Sequence, residues 1–375
     1  LAAGQPLAGP RLGDQGRNSA SSSPVAPVAP LPAPLDTAIL TQEPAPREAP
    51  ALDLPDAHTQ GQSYRVLERC WSRHALLGNA AEKHARRVQP PDVSGPSRAL
   101  IEHAESTPSR RSAAVPDSIR WVDLRDPKGR VIALTFDLCE QANEQSGYDS
   151  EIVNYLREQD VQATFFAGGK WMRSHAERAK QLMADPLFEV GNHAWTHGNL
   201  RVLKGRAMRE QILWTQAQYI GLRDALVDQC AATLGPDVID RIPQLPATFR
   251  FPYGTCSSES LAELADDGLA AVQWDIVTGD PGRGQTAEAI AEKVRKSVKP
   301  GRGSIVVMHA NGRGFATAKA LRTMIPELQH QGYQFVTVSK LLRMGTPHTV
   351  AECYEQTRGD NTRYDTLFGR GTGED

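Results

Sequence analysis

Apolar and polar residues follow two alternating patterns over most of this chain. From about residue 117, short runs rich in β-branched and aromatic residues alternate with stretches whose apolar residues recur at helical spacing. The short runs predict seven strands, at 131–136, 163–167, 188–192, 248–251, 271–276, 304–309 and 334–338. The intervening stretches predict helices at 150–159, 174–184, 205–231, 258–267, 286–298 and 317–330. This order favours an α/β fold, a distorted (β/α) barrel with about seven parallel strands.

The segments on either side of the barrel, 117–345, have a different composition. Residues 1–60 contain no aromatic residue and hold eleven of the 26 prolines, which predicts a disordered Pro/Ala-rich leader or linker. Residues 61–116 predict a helical and irregular pre-domain segment, with a docking helix between about 63 and 87. Residues 346–375 predict a largely unstructured tail.

Charge and hydropathy exclude two classes of partner. Lys and Arg total 42 against 44 Asp and Glu, so the net charge of -2 creates no overall field that would attract nucleic acid or an anionic membrane surface. No run of about 18 apolar residues occurs, which argues against a transmembrane helix. We therefore expect neither a nucleic-acid partner nor a transmembrane segment.

The chain has five cysteines and no C-x-x-C pair. The odd total leaves at least one thiol unpaired, and one or two disulfides remain open. Cys230 and Cys256 can pair if the compartment is oxidising. The long segment between His197 and Arg250 predicts either a helical flap or additional packing on the barrel exterior. Leu1, followed by two alanines, suits a precursor trimmed near a signal peptide and equally a trimmed clone.

Polar side chains cluster at the ends of the predicted strands, where barrel enzymes carry their catalytic groups. Singly, each has an ordinary explanation such as a helix cap, a buried histidine or chance spacing. Jointly, one such residue at each of five successive strand ends predicts a single site. The residues are Asp137, His193, His197, Arg250, Tyr253, Trp274, Asp275 and His309.

The histidine pair narrows the chemistry. His193 and His197 stand four residues apart, but Ala194 occupies the position at which the H-E-x-x-H zinc-protease motif has its catalytic Glu. If the pair binds a metal, the general base must come from elsewhere. The chain also lacks a G-x-S-x-G nucleophile elbow, which argues against a serine esterase.

Five short segments stand in order at these strand ends. They are Thr135-Phe136-Asp137, Asn192-His193-Ala194-Trp195-Thr196-His197, Arg250-Phe251-Pro252-Tyr253-Gly254, Gln273-Trp274-Asp275 and Val307-Met308-His309. Together they resemble the motifs of the polysaccharide deacetylases, the NodB-homology carbohydrate esterases. The resemblance covers about residues 130–342 and implies a distorted (β/α) barrel that removes N-acetyl, occasionally O-acetyl, groups from carbohydrate polymers with a divalent metal.

The resemblance implies a role for each catalytic residue. Asp137 is the expected general base and His309 the expected general acid. Arg250 would keep Asp137 ionised, and Asp275 would tune the imidazole of His309. The backbone N–H of Tyr253 would help to hold the oxyanion. Trp274 would form a wall of the acetyl pocket, so Tyr253 and Trp274 are also the expected substrate-binding residues.

The metal site departs from the family pattern. The resemblance implies that His193 and His197 bind a divalent ion, Zn²⁺ in the first place, with Co²⁺, Ni²⁺ or Mn²⁺ as alternatives. The family's second aspartate, also a ligand, is replaced by Leu138, which cannot coordinate an ion. Glu140, Asp137 or Cys139 can replace it. We predict Glu140 as the third ligand and Cys139 as a small buried residue.

These expectations lead to a function. We predict a metal-dependent hydrolase that removes N-acetyl groups from glycans containing N-acetylglucosamine, such as chitooligosaccharide, peptidoglycan or exopolysaccharide. Its partner is then an N-acetylated carbohydrate, and its location the periplasm or the exterior of a bacterial cell. Two alternatives remain: a non-catalytic carbohydrate-binding relative with a degenerate metal site, and a metal-free amidohydrolase acting on a small amide.

Overall fold

The computed structural model describes residues 61–108 and 115–367. The predicted leader, residues 1–60, and the end of the predicted tail, residues 368–375, lie outside these ranges. Within the described part of the chain, no helix combines the length and the apolar character needed to cross a bilayer.

The strands alternate with helices along the chain, as the pattern of apolar residues predicts. The strands are β1 (Arg86–Arg87), β2 (Ser118–Leu124), β3 (Val131–Leu138), β4 (Glu144–Gln145), β5 (Ala163–Ala167), β6 (Phe188–Asn192), β7 (Thr248–Phe249), β8 (Ala270–Val272), β9 (Ile276–Val277), β10 (Arg302–His309), β11 (Gln334–Phe335) and β12 (Gly345–Val350). The helices are α1 (Gln62–Leu67), α2 (Arg73–Leu77), α3 (Arg98–Ser106), α4 (Ser150–Glu158), α5 (Gly169–Ser174), α6 (Ala176–Ala184), α7 (Gly205–Leu234), α8 (Pro236–Ile239), α9 (Ser258–Asp266), α10 (Ala287–Ser297), α11 (Thr317–His330), α12 (Val338–Leu342) and α13 (Tyr364–Leu367). Two 3₁₀ turns add Ala80–Lys83 and Pro252–Gly254.

Seven strands close into a ring. Their order is β3-β5-β6-β7-β8-β2-β10, and β10 pairs back to β3. Neighbouring strands in the ring are parallel, except that β2 and β10 are antiparallel. The predicted distorted (β/α) barrel is therefore confirmed, with one irregular strand pair.

Strand β3 shows how the two faces of the ring differ. All eight of its residues are buried, so the burial of both faces gives a continuous apolar run rather than an alternating one. Leu134, Phe136 and Leu138 join the apolar cluster that the strands share with helices α4 and α11. Ala133 joins a separate cluster formed by side chains of β2, β8, β10 and helix α12. Because successive side chains point to opposite faces, Asp137 shares the inner face with Ala133.

Several predicted elements differ from the observed ones at their boundaries. The strand predicted at 271–276 is divided into β8 and β9. The strand predicted at 334–338 stops at Phe335, because the Thr337 side chain accepts a hydrogen bond from the Lys340 N–H and so caps α12. The single docking helix expected before the barrel is replaced by α1, α2 and the 3₁₀ turn Ala80–Lys83.

The predicted unstructured tail is wrong for its described part. Strand β12 pairs antiparallel with β2, a strand that the sequence pattern also missed. The chain then continues to α13, and the Arg201 guanidinium pairs with the Asp365 carboxylate of that helix at 2.8 Å. We call residues 351–367 the C-terminal strap.

Two disulfides attach the flanking segments to the barrel. Cys70 pairs with Cys230 on α7, and Cys256 pairs with Cys353 in the C-terminal strap. The predicted Cys230–Cys256 pair is therefore wrong. Cys139 is the free and buried thiol. Helix α7 packs against α3, α5 and α6, which makes the segment between the histidines and Arg250 additional packing on the barrel rather than a flap.

Candidate catalytic site

Asp137 and His309 lie side by side at the end of two neighbouring parallel strands. They are register partners of β3 and β10. Arg250 follows β7, and its buried Nη1 donates to Asp137 Oδ1 at 2.9 Å and to Thr135 Oγ1 at 2.7 Å. The same guanidinium donates to the Gln273 carbonyl at 3.1 Å, so its orientation is held from both sides.

The surroundings of Asp137 keep its carboxyl group ionised. Burial by itself would raise the pKa of Asp137, but the positive charge of Arg250, followed by His193 and His309, brings the pKa below its usual value. Arg250 is fully buried. It nevertheless stays charged, because a guanidinium group does not lose its proton in proteins. The arrangement can therefore provide a carboxylate that accepts a proton near neutral pH.

His309 is oriented by Asp280, not by the predicted Asp275. Asp280 Oδ1 lies 2.9 Å from His309 Nδ1, and its Oδ2 accepts from the His309 backbone N–H at 2.7 Å. Burial favours the neutral ring, but the Asp280 carboxylate outweighs it and raises the pKa of His309. With Nδ1 committed to Asp280, Nε2 is the nitrogen that His309 can present to a ligand.

Asp275 instead makes hydrogen bonds to residues of β10. Its carboxylate accepts from Ser304 Oγ at 2.9 Å and from the Ile305 N–H at 2.8 Å. Burial raises its pKa to about 6. The expectation that Asp275 tunes His309 is therefore corrected. Sequence reasoning missed Asp280, whose signal is its position in the turn after β9, at the same edge of the barrel as the other site residues.

The two metal-candidate histidines lie on a tight loop after β6, not on one helix face. Ala194 and His197 both have positive φ, 65° and 59°, which turns the chain sharply between the two imidazoles. Gln211 of α7 holds this loop, since its Oε1 accepts from the N–H of Thr196 at 3.0 Å and of Gly198 at 3.1 Å. We call residues 193–198 the histidine loop.

The imidazoles converge with a cysteine sulfur. The ligand atoms of Cys139, His193 and His197 all lie within 4.8 Å of one another. His193 Nδ1 lies 2.9 Å from the Arg250 carbonyl. Its buried Nε2 makes no hydrogen bond in the described structure and lies 3.7 Å from Asp137 Oδ2. A buried nitrogen without a hydrogen bond, beside a second imidazole and a sulfur, fits a bound cation such as Zn²⁺.

Burial keeps these groups uncharged when no cation is bound. It lowers the pKa of His193, and it lowers that of His197 well below its usual value. Burial also raises the pKa of the Cys139 thiol to about 12. Neutral imidazoles are the form that coordinates a metal.

The structure does not bring Glu140, the predicted third ligand, to this group. The Glu140 carboxylate is buried and paired with Lys170 Nζ at 2.7 Å, and it also accepts from Ser174 Oγ and the Ser146 N–H. Leu138 packs in the outer apolar cluster. Neither side chain faces the imidazoles.

Aromatic side chains border the site on the side of the C-terminal strap. Tyr253 has a positive φ of 59°, and its ring lies 4.3 Å from that of His197 and 5.4 Å from that of Tyr364. Trp274 is buried, and its Nε1 donates to the Glu355 carbonyl at 2.9 Å. The strap therefore contacts both predicted substrate-binding residues.

Several known proteins are similar to this chain in sequence. Residues 124–222 match the family model of polysaccharide deacetylase. The peptidoglycan-N-acetylglucosamine deacetylase PgdA of Listeria monocytogenes is 27% identical over 255 residues, which are 68% of this chain and 48% of that protein. The chain thus spans about half the length of that relative. A chitooligosaccharide deacetylase of Bradyrhizobium is 27% identical over 51% of this chain and 83% of its own.

Among solved structures, a CE4 family pseudoenzyme from Bacillus anthracis is 26% identical, with a TM-score of 0.49 over 61% of this chain and 69% of that one. The family-model match covers the segments that carry Asp137, the histidine loop and the strands between them. Over this part of the chain, the barrel is therefore similar to the polysaccharide deacetylases.

Proposed function

We propose that this protein is a metal-dependent hydrolase that removes N-acetyl groups from glycans containing N-acetylglucosamine. The observation that carries the proposal is the register of a carboxylate and an imidazole on adjacent strands, each with its own charged partner. Arg250 binds Asp137 and lowers its pKa, and beside it Asp280 binds His309 and raises its pKa. A base and an acid of this kind are what amide hydrolysis requires.

An acetamide is difficult to hydrolyse for two reasons. Its carbonyl is a weak electrophile, and an amine leaves only after it gains a proton. The site must therefore remove a proton from the attacking water, stabilise the negative oxygen of the tetrahedral intermediate and protonate the departing nitrogen.

The residues of this chain divide those tasks. Asp137 Oδ2 accepts a proton as water adds to the acetyl carbon, while Arg250 holds the other carboxylate oxygen. His309 then donates its Nε2 proton to the nitrogen as the carbon–nitrogen bond breaks, and Asp280 compensates the charge of the imidazolium before that step. The Tyr253 N–H contributes to holding the oxyanion, and Trp274 limits the acetyl pocket.

The histidine loop supplies the cation site. A divalent ion held there would polarise the acetyl carbonyl and lower the pKa of water. We propose Zn²⁺, which imidazole ligands suit, with Co²⁺, Ni²⁺ or Mn²⁺ as substitutes, of which Mn²⁺ suits imidazole least. Gln211 keeps the loop in the conformation that brings both rings together.

The substrate and location follow from the relatives and the disulfides. The Listeria relative acts on peptidoglycan and the Bradyrhizobium relative on chitooligosaccharide, so we propose an N-acetylated glycan of one of these kinds. Two disulfides favour an oxidising compartment. We therefore propose the bacterial periplasm or the exterior of the cell.

The test is acetate release by the purified chain. We expect release from N-acetylglucosamine oligomers or from peptidoglycan, loss of activity on chelation and recovery with Zn²⁺ or Co²⁺. Asp137→Asn should abolish the activity while the protein stays folded, as thermal unfolding would show. Activity that is indifferent to chelators would remove the metal from the proposal, and activity of the Asp137 variant would remove the base.

A second candidate is a non-catalytic carbohydrate-binding protein. Leu138 favours it, because a side chain without donor atoms stands where the family resemblance implies a ligand. Metal analysis of the purified chain separates the two. A degenerate site should hold less than a stoichiometric amount of Zn²⁺ after incubation with the ion and should still bind the oligomer.

A further inference from the structure

We infer that Cys139 is the third protein ligand of the cation, through its sulfur. The inference rests on the proposed function and gives the site a His–His–Cys ligand set in place of the predicted His–His–Glu. The argument depends on where the chain turns after β3, on what holds residue 139 there and on which other donors are already engaged.

Alternation along β3 selects the residue that returns to the site. Asp137 faces the inside of the ring, where it meets Arg250, and Leu138 faces the outer apolar cluster. The next side chain inward is therefore that of Cys139. Glu140 points outward again, toward Lys170 of α5. The alternation of side chains along the strand thus turns the Cys139 sulfur toward the histidine loop and the Glu140 carboxylate away from it.

The backbone and sulfur of Cys139 are held from two directions. The Cys139 carbonyl accepts from Ser146 Oγ and from Asn311 Nδ2, each at 2.8 Å. The same Asn311 amide lies 3.1 Å from Cys139 Sγ and donates to it. An N–H donor on a sulfur ligand is the kind of outer contact that orients ligands in metal sites. A cysteine that served only to fill space would not need a donor on its sulfur.

The two competing carboxylates each have a cationic partner. Glu140 has three partners, of which Lys170 carries the compensating charge. Asp137 Oδ1 is bound by Arg250. Its Oδ2 lies 3.7 Å from His193 Nε2, but this oxygen would lose its proposed role as the base if it coordinated the ion. Cys139 Sγ, by contrast, lies within 4.8 Å of a ligand atom of each histidine.

The ligand set also favours some divalent ions over others. One thiolate and two imidazoles suit Zn²⁺ and Co²⁺, whereas Mn²⁺ prefers oxygen ligands. Three protein ligands leave a fourth position open, as in other catalytic zinc sites. We therefore expect the chain to select Zn²⁺ over Mn²⁺ more strongly than an Asp–His–His site would.

Cobalt is a suitable probe because Cys139 is the single free thiol. All five cysteines lie in the described part of the chain, and the other four form disulfides. A thiolate-to-cobalt charge-transfer band in the near ultraviolet can thus come from Cys139 alone. The full chain is titrated with Co²⁺ alone, and the band and the binding isotherm are recorded for each variant.

We expect one Co²⁺ per chain with the charge-transfer band in the wild type. Cys139→Ser should lose the band and bind Co²⁺ at least about tenfold more weakly, since a ligand contributes at least as much as the outer contacts that cost 10- to 100-fold. Cys139→Asp should lose the band and recover most of the affinity. Met172→Leu, which removes a buried sulfur of α5, is the matched control and should change neither.

Two results would overturn the inference in distinguishable ways. Stoichiometric Co²⁺ without the band, with equal affinity in Cys139→Ser, would show that Cys139 is not a ligand while the metal site and the proposed function stand. If the wild type bound Co²⁺ no better than His193→Ala does, the chain would have no cation site there. That result would overturn both the inference and the metal dependence in the proposed function.

X-ray absorption of the Zn²⁺-loaded wild type gives the same answer without any variant. We expect one sulfur scatterer at about 2.3 Å together with nitrogen or oxygen scatterers at about 2.0–2.1 Å. A shell of nitrogen and oxygen alone would refute the inference even if the Cys139 variants failed to fold.

Discussion

Substitution of Asp280 by asparagine tests the pairing of the proposed acid. In the structure, Asp280 Oδ1 faces His309 Nδ1 at 2.9 Å, while Oδ2 accepts from the His309 N–H and from Thr317 Oγ1, each at 2.7 Å. Asparagine has the same shape and keeps an oxygen for the two structural donors. Its NH₂ group then faces Nδ1, so a protonated ring would set two donors against each other, and the neutral ring is favoured.

The size of the effect follows from the bond that is lost. A hydrogen bond to a charged group contributes about 1.5–3 kcal/mol. Since 1.36 kcal/mol corresponds to a tenfold change in rate, kcat near neutral pH should fall by about 10- to 150-fold. The sign of the pH effect follows as well. Despite burial, Asp280 raises the pKa of His309, so its removal lowers that pKa and moves the alkaline limb of the profile to lower pH.

The assay is acetate release by the Zn²⁺-loaded chain across the pH range, with thermal unfolding as the check on folding. Asp275→Asn is the matched control, because that carboxylate, with 7% of its side chain exposed against 1% for Asp280, contacts Ser304 and Ile305 rather than His309. The control should keep the wild-type alkaline limb. An unchanged limb in Asp280→Asn, or an equal displacement in Asp275→Asn, would refute the assignment of the acid's partner.

Three further predictions concern the parts that hold the site together. Gln211→Ala removes hydrogen bonds to the histidine loop, so Zn²⁺ affinity measured by calorimetry should fall about 10- to 100-fold. Gln218→Ala, on the same helix, is the control, and equal Zn²⁺ affinity in the two variants would contradict the prediction. Burial raises the pKa of Asp275 to about 6, so the folded chain retains this proton to higher pH than the unfolded chain does. The unfolding free energy should therefore decrease by up to about 3 kcal/mol as pH rises from about 4 to 6, and Asp275→Asn should lack this component in denaturant titrations; identical pH slopes would refute it. Replacing Cys256 and Cys353 by alanine should lower the unfolding free energy by about 2–5 kcal/mol, and an unchanged denaturation midpoint would show that the disulfide does not stabilise the fold.

Local patterns in the sequence were sufficient for the barrel and for the position of most site residues. The apolar runs predict β3, β5, β6 and β10 because both faces of these strands are buried. Residues at the ends of parallel strands then meet at one edge. For this reason Asp137, His193, Arg250 and His309 come together as the order of the strands implies.

What the sequence could not decide depends on side-chain direction and on distant pairing. The choice between Cys139 and Glu140 as the third ligand depends on which alternate residues of β3 face the inside of the ring. Because every residue of this strand is buried, the sequence pattern does not reveal which ones they are. The choice between Asp275 and Asp280 depends on the break between β8 and β9. The pairing of β12 with β2 joins segments more than 200 residues apart, such as Thr349 and Ile119, and no local pattern specifies it.

The register of Asp137 and His309 has a consequence for variation among related sequences. Backbone hydrogen bonds between β3 and β10 set their spacing, since neighbouring strands lie about 4.8 Å apart whatever their side chains are. Insertions or deletions in the connecting loops at that edge can therefore reshape the proposed polymer-binding surface without moving the proposed proton donor away from the proposed acceptor. On this scaffold, glycan preference can then vary while the proposed reaction stays the same.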